Sequence, residues 1–263
     1  DLGLNELYER INHEMEEDLL TGGDIYATRT PVRYLPFIYP PVAALLMAPF
    51  TVLPLWLLQL LWAALTVVAQ RVILRRGGVH RSGAVAAANV ALLLAFEPFR
   101  TTLGYGQVNT LLMMLVVADL LPGEQRSRWF PRGVLIGVAA AIKLTPLAFV
   151  VFAFLIGRRF VALWAMGSFA ALTVVGAVVL PKESLVFARK VVTNDLYGDP
   201  VYVGNQSIGA VFQRMQWTDP GWLALVVSGV VALIALVAAV RWWGRGERVL
   251  AVGLIGIATC LGA

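Results

Sequence analysis

Apolar positions fall into long blocks separated by short polar stretches, and these blocks set the predicted elements. Tyr8, Ile11, Met15 and Leu19 recur at helical spacing, which predicts an amphipathic helix over Leu4–Leu20 that Gly22 and Gly23 end. The following stretch, DIYATRTPVRYLPFIYPP, reads as a loop rich in proline and tyrosine. Val42–Leu53 is apolar but too short to cross a bilayer, and Pro49 and Pro54 bracket its end; it reads as an interfacial or re-entrant helix. Spans are predicted at Leu55–Leu74, at Ser82–Phe96 with a start somewhat earlier, at Val108–Leu121, at Val161–Leu180 and at Trp222–Val240. Residues 181–221 read as a long polar loop.

One block departs from this pattern. GVLIGVAAAIKLTP, from Gly133 to Pro146, is an apolar helical run with a single charge, Lys143, three residues before a proline. Pro146 removes a backbone donor and disfavours the α conformation at Thr145, so the helix should break or kink there. Irregular backbone at membrane depth is tolerated only where protein buries it or water lines it. A lone ammonium at that depth is costly and usually faces a cavity, a partner or a substrate. The alternative is a kinked span whose lysine reaches the surface.

Charge turns these spans into a topology. The loops RRGGVHR (75–81) and GEQRSRWFPR (123–132) are basic and belong on the cytoplasmic side. A straight span over Val134–Gly157 would put Arg158, Arg159 and the later cluster Arg241, Arg245 and Arg248 outside. A hairpin broken at KLTP puts them inside. Val134–Leu144 would rise about 16 Å, roughly half a hydrocarbon core. The hairpin is therefore preferred, and it gathers residues 1–40, FEPFRTTLGYGQVN (96–109), the KLTP apex and residues 181–221 on the outer side.

Composition fixes the class. The chain has 263 residues, of which 59% are hydrophobic and 14% charged, and its mean hydropathy is +0.76. That is an all-α, polytopic membrane protein. The net charge of +5 resides largely in the basic inter-span stretches and is no sign of nucleic-acid binding. Cys260 is the single cysteine and cannot form an intrachain disulfide. With Asp1 at its start and an apolar run at its end, the chain is expected to be a fragment lacking an N-terminal helix and some C-terminal helices. On this expectation residues 1–263 form one transmembrane domain, with 1–54 its first extracytoplasmic loop bearing interfacial helices and 181–221 a second extracytoplasmic loop.

The candidate chemistry lies on the outer side. Asp1 could act as a general base toward a hydroxyl, with Glu6 and Glu9 as rivals; each could equally be a solvated loop acid. Arg100 precedes GYGQVN, where Gly104 and Gly106 allow close backbone approach to a ligand and Tyr105, Gln107 and Asn109 supply polar groups. Lys143 and Arg100 together could neutralise a phosphate held at the bilayer surface, which implies a lipid-linked ligand. Asn205, Gln206 and Ser207, with Asn194, Asp195 and Tyr197 nearby, offer hydrogen bonds among aromatic rings, as a sugar requires. NQS at Asn205 also matches a glycosylation sequon. The chain has no GxxxxGK[ST] loop, no GxSxG elbow and no DxD pair. His13 and His80 fall on opposite sides of the predicted topology, so a histidine metal cluster is not expected; no cofactor is expected, the lipid-phosphate sugar being a substrate.

The ordered series GGDIY (22–26), FIYPPVAALLMAPFTVLP (37–54), GYGQVNTLL (104–112), GVAAAIKLTPLAFVVF (137–152) and GNQSIGAVFQR (204–214) resembles glycosyltransferase family 87 of the GT-C superfamily. The resemblance runs from about Asp1 to Met215. It implies a multi-pass enzyme of the bacterial plasma membrane with an extracytoplasmic active site. Such an enzyme would move a sugar, usually mannose, from a polyprenyl phosphate to a lipid-linked or cell-wall glycan with inversion, without a metal. The family's first-loop carboxylate falls on Asp1, with Glu6 and Glu9 as alternatives. Arg100, Tyr105, Gln107, Asn109, Lys143, Asn205, Gln206 and Ser207 would contact substrate. A transporter or flippase of a lipid-linked substrate is the competing reading, because broken helices with charged residues also serve transport. A non-catalytic membrane scaffold is a third, but it would not need Lys143 or the amide-rich outer motifs.

Overall fold

The computed structural model describes residues 25–26, 37–50, 52–95, 107–121, 130–193, 207–215 and 221–262. Its regular elements are all helical: α1 Pro41–Met47, extended by a 3₁₀ turn Ala48–Phe50, α2 Leu55–Arg76, α3 Ser82–Ala95, α4 Asn109–Leu120, α5 Val134–Ile142, α6 Leu147–Leu155, α7 Arg159–Val179, α8 Pro181–Thr193, α9 Ile208–Arg214, α10 Gly221–Gly244 and α11 Arg248–Gly262. Three are long and apolar enough to cross a membrane: Trp56–Arg76, Arg159–Val179 and Trp222–Gly244.

The chain turns back at KLTP. α5 ends because Lys143 takes an extended conformation, with φ −148° and ψ 133°. Residues 143–146 form a turn, and α6 starts at Leu147. Three contacts fix the direction of the two half-helices. The Asp119 carboxylate at the end of α4 accepts from Gly133 N–H at the start of α5. Arg158, after α6, donates to the Leu120 carbonyl at the same end of α4. Its guanidinium also lies over Trp243, at the end of α10. Both ends of the α5–α6 pair therefore meet one end of α4, and the turn between them lies partway across the bundle. That is the hairpin the arginine distribution required.

The start of the hairpin is set by glycine. Gly133 has φ +109°, and a Cβ there would collide with the Val161 carbonyl of α7. A Cβ at Gly137 would meet Ser168 Oγ and the Ala165 carbonyl. Matching 133 to 161 and 137 to 165 means that α5 and α7 run parallel with their backbones close together, as small residues allow between membrane helices. Ser168 Oγ, which also donates within its own helix, reaches the Val134 carbonyl at 3.2 Å. Ile136, Ala139, Phe152 and Ala165 are fully buried in the core formed around this contact.

Several expectations change. α3 begins at Ser82 and no earlier, because Val79–Arg81 stay non-helical after the turn at Gly77 and Gly78. α4 has only 12 residues, about 18 Å, because Leu121, the residue before Pro122, leaves the helical conformation for an extended one. Of the two readings of Val42–Leu53, interfacial or re-entrant, the buried packing of α1 fits the re-entrant one, and the α-helix stops at Met47. Pro41, Val42, Ala43 and Ala44 are buried, and α1 packs on α5 and α7 in the space above the shortened α5. Residues 181–221 are not simply a polar loop, since α8 and α9 form within them. Asp1, Glu6, Glu9, Arg100, Tyr105, Asn205 and Gln206 lie outside the described residues, as does the predicted helix Leu4–Leu20.

Candidate functional site at the helix break

The two ends of the bundle hold their cations differently. Arg76, Arg158, Arg245 and Arg248 mark one end. Arg76 Nη1 donates to the carbonyls of Ala118, at 3.3 Å, and Leu121, at 2.9 Å, and Arg158 Nη1 donates to Leu120 at 2.9 Å. Arg158 and Arg248 lie 4.7 and 5.6 Å from the Trp243 ring centroid, and Arg245 lies 5.1 Å from that of Trp242. Cations on the last carbonyls of α4 satisfy acceptors that a helix end leaves open.

The opposite end carries the candidate site, which begins with Lys143. Because α5 stops at Ile142, the ammonium projects from extended backbone rather than from a helix face. Nζ donates to Asn109 Oδ1 at 3.2 Å. Asn109 Nδ2 in turn donates to Gln107 Oε1 at 2.7 Å. Asn109 is the first residue of α4, so the start of that helix and the break in the next stand side by side. Nζ also lies 5.8 Å from the Tyr39 ring centroid. Among the described residues no carboxylate pairs with it.

Behind this trio lies an aromatic wall. Tyr26 donates its hydroxyl to the Tyr39 carbonyl at 2.8 Å, and Phe37 stacks at a tilt on both Tyr26 and Tyr39. The Tyr39 phenol presents a neutral ring to the ammonium. The turn itself closes with its own bonds: Leu147 N–H to Leu144, Ala148 N–H to Thr145 and Phe149 N–H to Pro146. The first N–H groups of α6 are thereby used, and the positive charge offered to a ligand is that of Lys143. An ammonium held by one side-chain amide and one ring can move onto a phosphate oxygen at little cost, because the amides can re-pair.

Of the residues selected from sequence, the structure joins Gln107, Asn109 and Lys143. Ser207 is buried at the start of α9, where its hydroxyl accepts from Ala210 N–H at 3.3 Å. Two contributions went unread in the sequence. Tyr39 lies in the FIYPP run, but periodicity gives no hint that it faces Lys143. Asp119 is a lone acid in the apolar run LVVADLLP. It is buried, and it accepts from Gly133 N–H at 2.9 Å and Ile136 N–H at 3.1 Å, capping the broken helix. An isolated carboxylate inside a membrane helix is itself a signal, and it could have been found that way.

Comparison with known proteins bears on the same residues. Residues 37–262 match glycosyltransferase family 87. The chain is 34% identical over 232 residues to a polyprenol-phosphate-mannose-dependent alpha-(1-2)-phosphatidylinositol pentamannoside mannosyltransferase of Mycobacterium tuberculosis (strain CDC 1551 / Oshkosh), covering 84% of this chain and 52% of that protein. It is 34% identical over 250 residues to the protein of the same name from Mycolicibacterium smegmatis, covering 89% and 58%. A phosphatidylinositol mannoside mannosyltransferase of the latter organism is 34% identical over 237 residues, covering 83% and 53%. The chain thus spans somewhat over half the length of the curated relatives it matches. No solved structure matches it. With most of the chain matched and the Lys143 motif inside the match, the chain belongs to glycosyltransferase family 87.

Proposed function

We propose that this chain carries the donor-phosphate site of a membrane mannosyltransferase that uses polyprenyl-phosphate mannose and acts on a glycolipid of the phosphatidylinositol mannoside kind. The observation that carries the reading is the Lys143 ammonium at the helix break, held by Asn109 and without a carboxylate partner among the described residues. The names of the relatives support the donor and the acceptor class.

In the reaction, an acceptor hydroxyl attacks the anomeric carbon of the donor. The bond from that carbon to the phosphate oxygen breaks, with inversion. A carboxylate takes the hydroxyl proton, and Asp1 is proposed for that role with Glu6 and Glu9 as alternatives. The electron pair leaves on polyprenyl phosphate, whose growing charge Lys143 answers, with Arg100 as a second cation. Such stabilisation of a leaving group is worth most where water is excluded. Tyr105, Gln107, Asn109, Asn205, Gln206 and Ser207 would orient the sugar and phosphate. The arginine-rich end belongs in the cytoplasm. The site then opens on the extracytoplasmic side of a bacterial plasma membrane, and the mechanism asks for no metal or other cofactor.

The test uses the full-length protein in membranes with radiolabelled polyprenyl-phosphate mannose and a glycolipid acceptor pool, with EDTA and without nucleotide sugar. Transfer by the wild type that is lost in Asp1→Asn, with donor binding kept, supports the reaction and the base. Transfer retained in Asp1→Asn moves the base to Glu6 or Glu9. If the wild type transfers nothing yet carries the lipid across vesicles, the protein is a flippase and the reading fails.

A further inference from the structure

α8 has two apolar faces, and only one of them is covered. Helix α7 ends at Val179, and α8 starts two residues later at Pro181, so the end of a membrane-spanning helix holds α8 in place. Val186 and Phe187 pack on Ile25, Tyr26 and Ala44. On the same face Lys190 Nζ lies 5.6 Å from the Tyr26 ring centroid. The opposite face carries Pro181, Leu185, Ala188 and Val192, at i, i+4, i+7 and i+11, which is one stripe of a helix. Leu185 is 55% exposed and Val192 85%. A helix lying on a water-facing surface would carry polar residues there. Lys182 and Arg189 form a third stripe about a quarter turn from the exposed apolar one.

We propose that α8 is an interfacial helix seated in the bilayer leaflet at the end opposite the arginine-rich one, with Leu185, Ala188 and Val192 against acyl chains and Lys182 and Arg189 at the level of the lipid phosphates. Continuity argues for lipid as the occupant: α7 presents Val174, Val175, Val178 and Val179, all well exposed, immediately before α8 begins. An apolar stripe beside a basic one is the pattern of a helix lying in the headgroup boundary, about 5–10 Å deep on its apolar side. The helix also connects the membrane surface to the helix-break site. Its inner face holds Tyr26, whose hydroxyl bonds the Tyr39 carbonyl, and the Tyr39 ring faces Lys143. A leaflet-bound α8 would hold that wall at a fixed depth. The inference does not depend on the transfer reaction.

The test places spin labels by cysteine substitution in the full-length protein, reconstituted in lipid nanodiscs with Cys260→Ser and any further cysteine replaced. Labels go at Lys182→Cys, Leu185→Cys, Ala188→Cys and Val192→Cys, so that one perturbed variant does not decide the result. Collision with oxygen and with a water-soluble nickel chelate is measured at each site. The expected result is oxygen collision several-fold above nickel collision at 185, 188 and 192, with the reverse balance at 182. Low collision with both reagents at 185 and 192 would show that another protein segment or a second copy covers the stripe, and would overturn the proposal. Nickel-dominated collision at those sites would show water there and would overturn it equally.

Discussion

Both ends of the bundle hold cations near aromatic rings, but they hold them differently. At the arginine-rich end, Arg76 and Arg158 donate to main-chain carbonyls of Ala118, Leu120 and Leu121, and the guanidiniums of Arg158 and Arg248 both lie over the Trp243 ring. Those carbonyls are fixed by the helix, so the arginines close the end of α4. At the other end Lys143 meets the Asn109 amide and the Tyr39 ring. The amide can rotate toward another donor. A cation bound to backbone completes the fold, whereas one bound to a movable side chain can be passed to a ligand. On the proposed function, the comparison separates charge used for folding from charge proposed for binding.

The largest expected effect is at Lys143. Lys143→Ala should lower mannosyl transfer by roughly 10²–10³, the usual loss when one preorganised charge-stabilising contact is removed. Thermal stability should change little, because Lys143 is only partly buried and its Asn109 partner keeps Gln107. Lys143→Arg should restore part of the activity. Full activity in Lys143→Ala would put Lys143 in the same class as the arginines and break the comparison.

Next is Asp119, whose carboxylate caps α5 from the arginine-rich end. Asp119→Ala leaves two buried N–H groups without an acceptor, a loss of roughly 2–6 kcal/mol at about 1–3 per group. Thermal unfolding in detergent should show a large drop. Asp119→Asn keeps one accepting oxygen and should recover much of it. Recovery by Asn identifies capping as the role, whereas failure to recover would mean that the negative charge itself is required.

Much of this contrast could be read from sequence, and the reason is electrostatic. Pro146 marked the break, and the positions of Arg158, Arg159 and Arg241–Arg248 required the chain to turn back there, because basic residues strongly prefer one side of a membrane. Gln107, Asn109 and Lys143 stand out because polar groups in an apolar setting need partners. Packing between elements was not legible. Hydrophobic periodicity cannot show that α1 fills the space above a short α5, that α4 is too short to be a full span, or that Tyr39 faces Lys143. α8 was hidden by its polar composition, since a helix with a basic stripe reads as loop when spans are sought by hydropathy. Asp119 stands out in sequence only as a lone acid in an apolar run, and which N–H groups it caps depends on packing between elements.

A smaller effect is expected at Asn109. Asn109→Asp would give Lys143 a fixed carboxylate in place of a rotatable amide. A phosphate must then compete with that ion pair, and the KM for the lipid donor should rise about tenfold, a shift of about 1.4 kcal/mol. The kcat at saturating donor should change less. Steady-state kinetics over a donor series would show it. A pure kcat loss with constant KM would place Asn109 on the sugar rather than beside the phosphate.

The smallest effect is expected at Arg158, and it sharpens the comparison most. Arg158→Gln loses the bond to the Leu120 carbonyl and the stacking on Trp243. Arg158 is itself only partly buried, so water can follow the shorter side chain, and the net cost should be only about 1 kcal/mol. A loss of that size should lower the midpoint of thermal unfolding by about 2–4 °C. Turnover per folded molecule should match the wild type, because Arg158 is at the end of the bundle away from Lys143. Arg158→Lys keeps the charge but loses the planar stacking group, and it should restore only part of the stability. A drop in kcat for Arg158→Gln comparable to that of Lys143→Ala would mean that the two ends are coupled through the α5–α6 hairpin, and that the division between folding charge and binding charge is wrong.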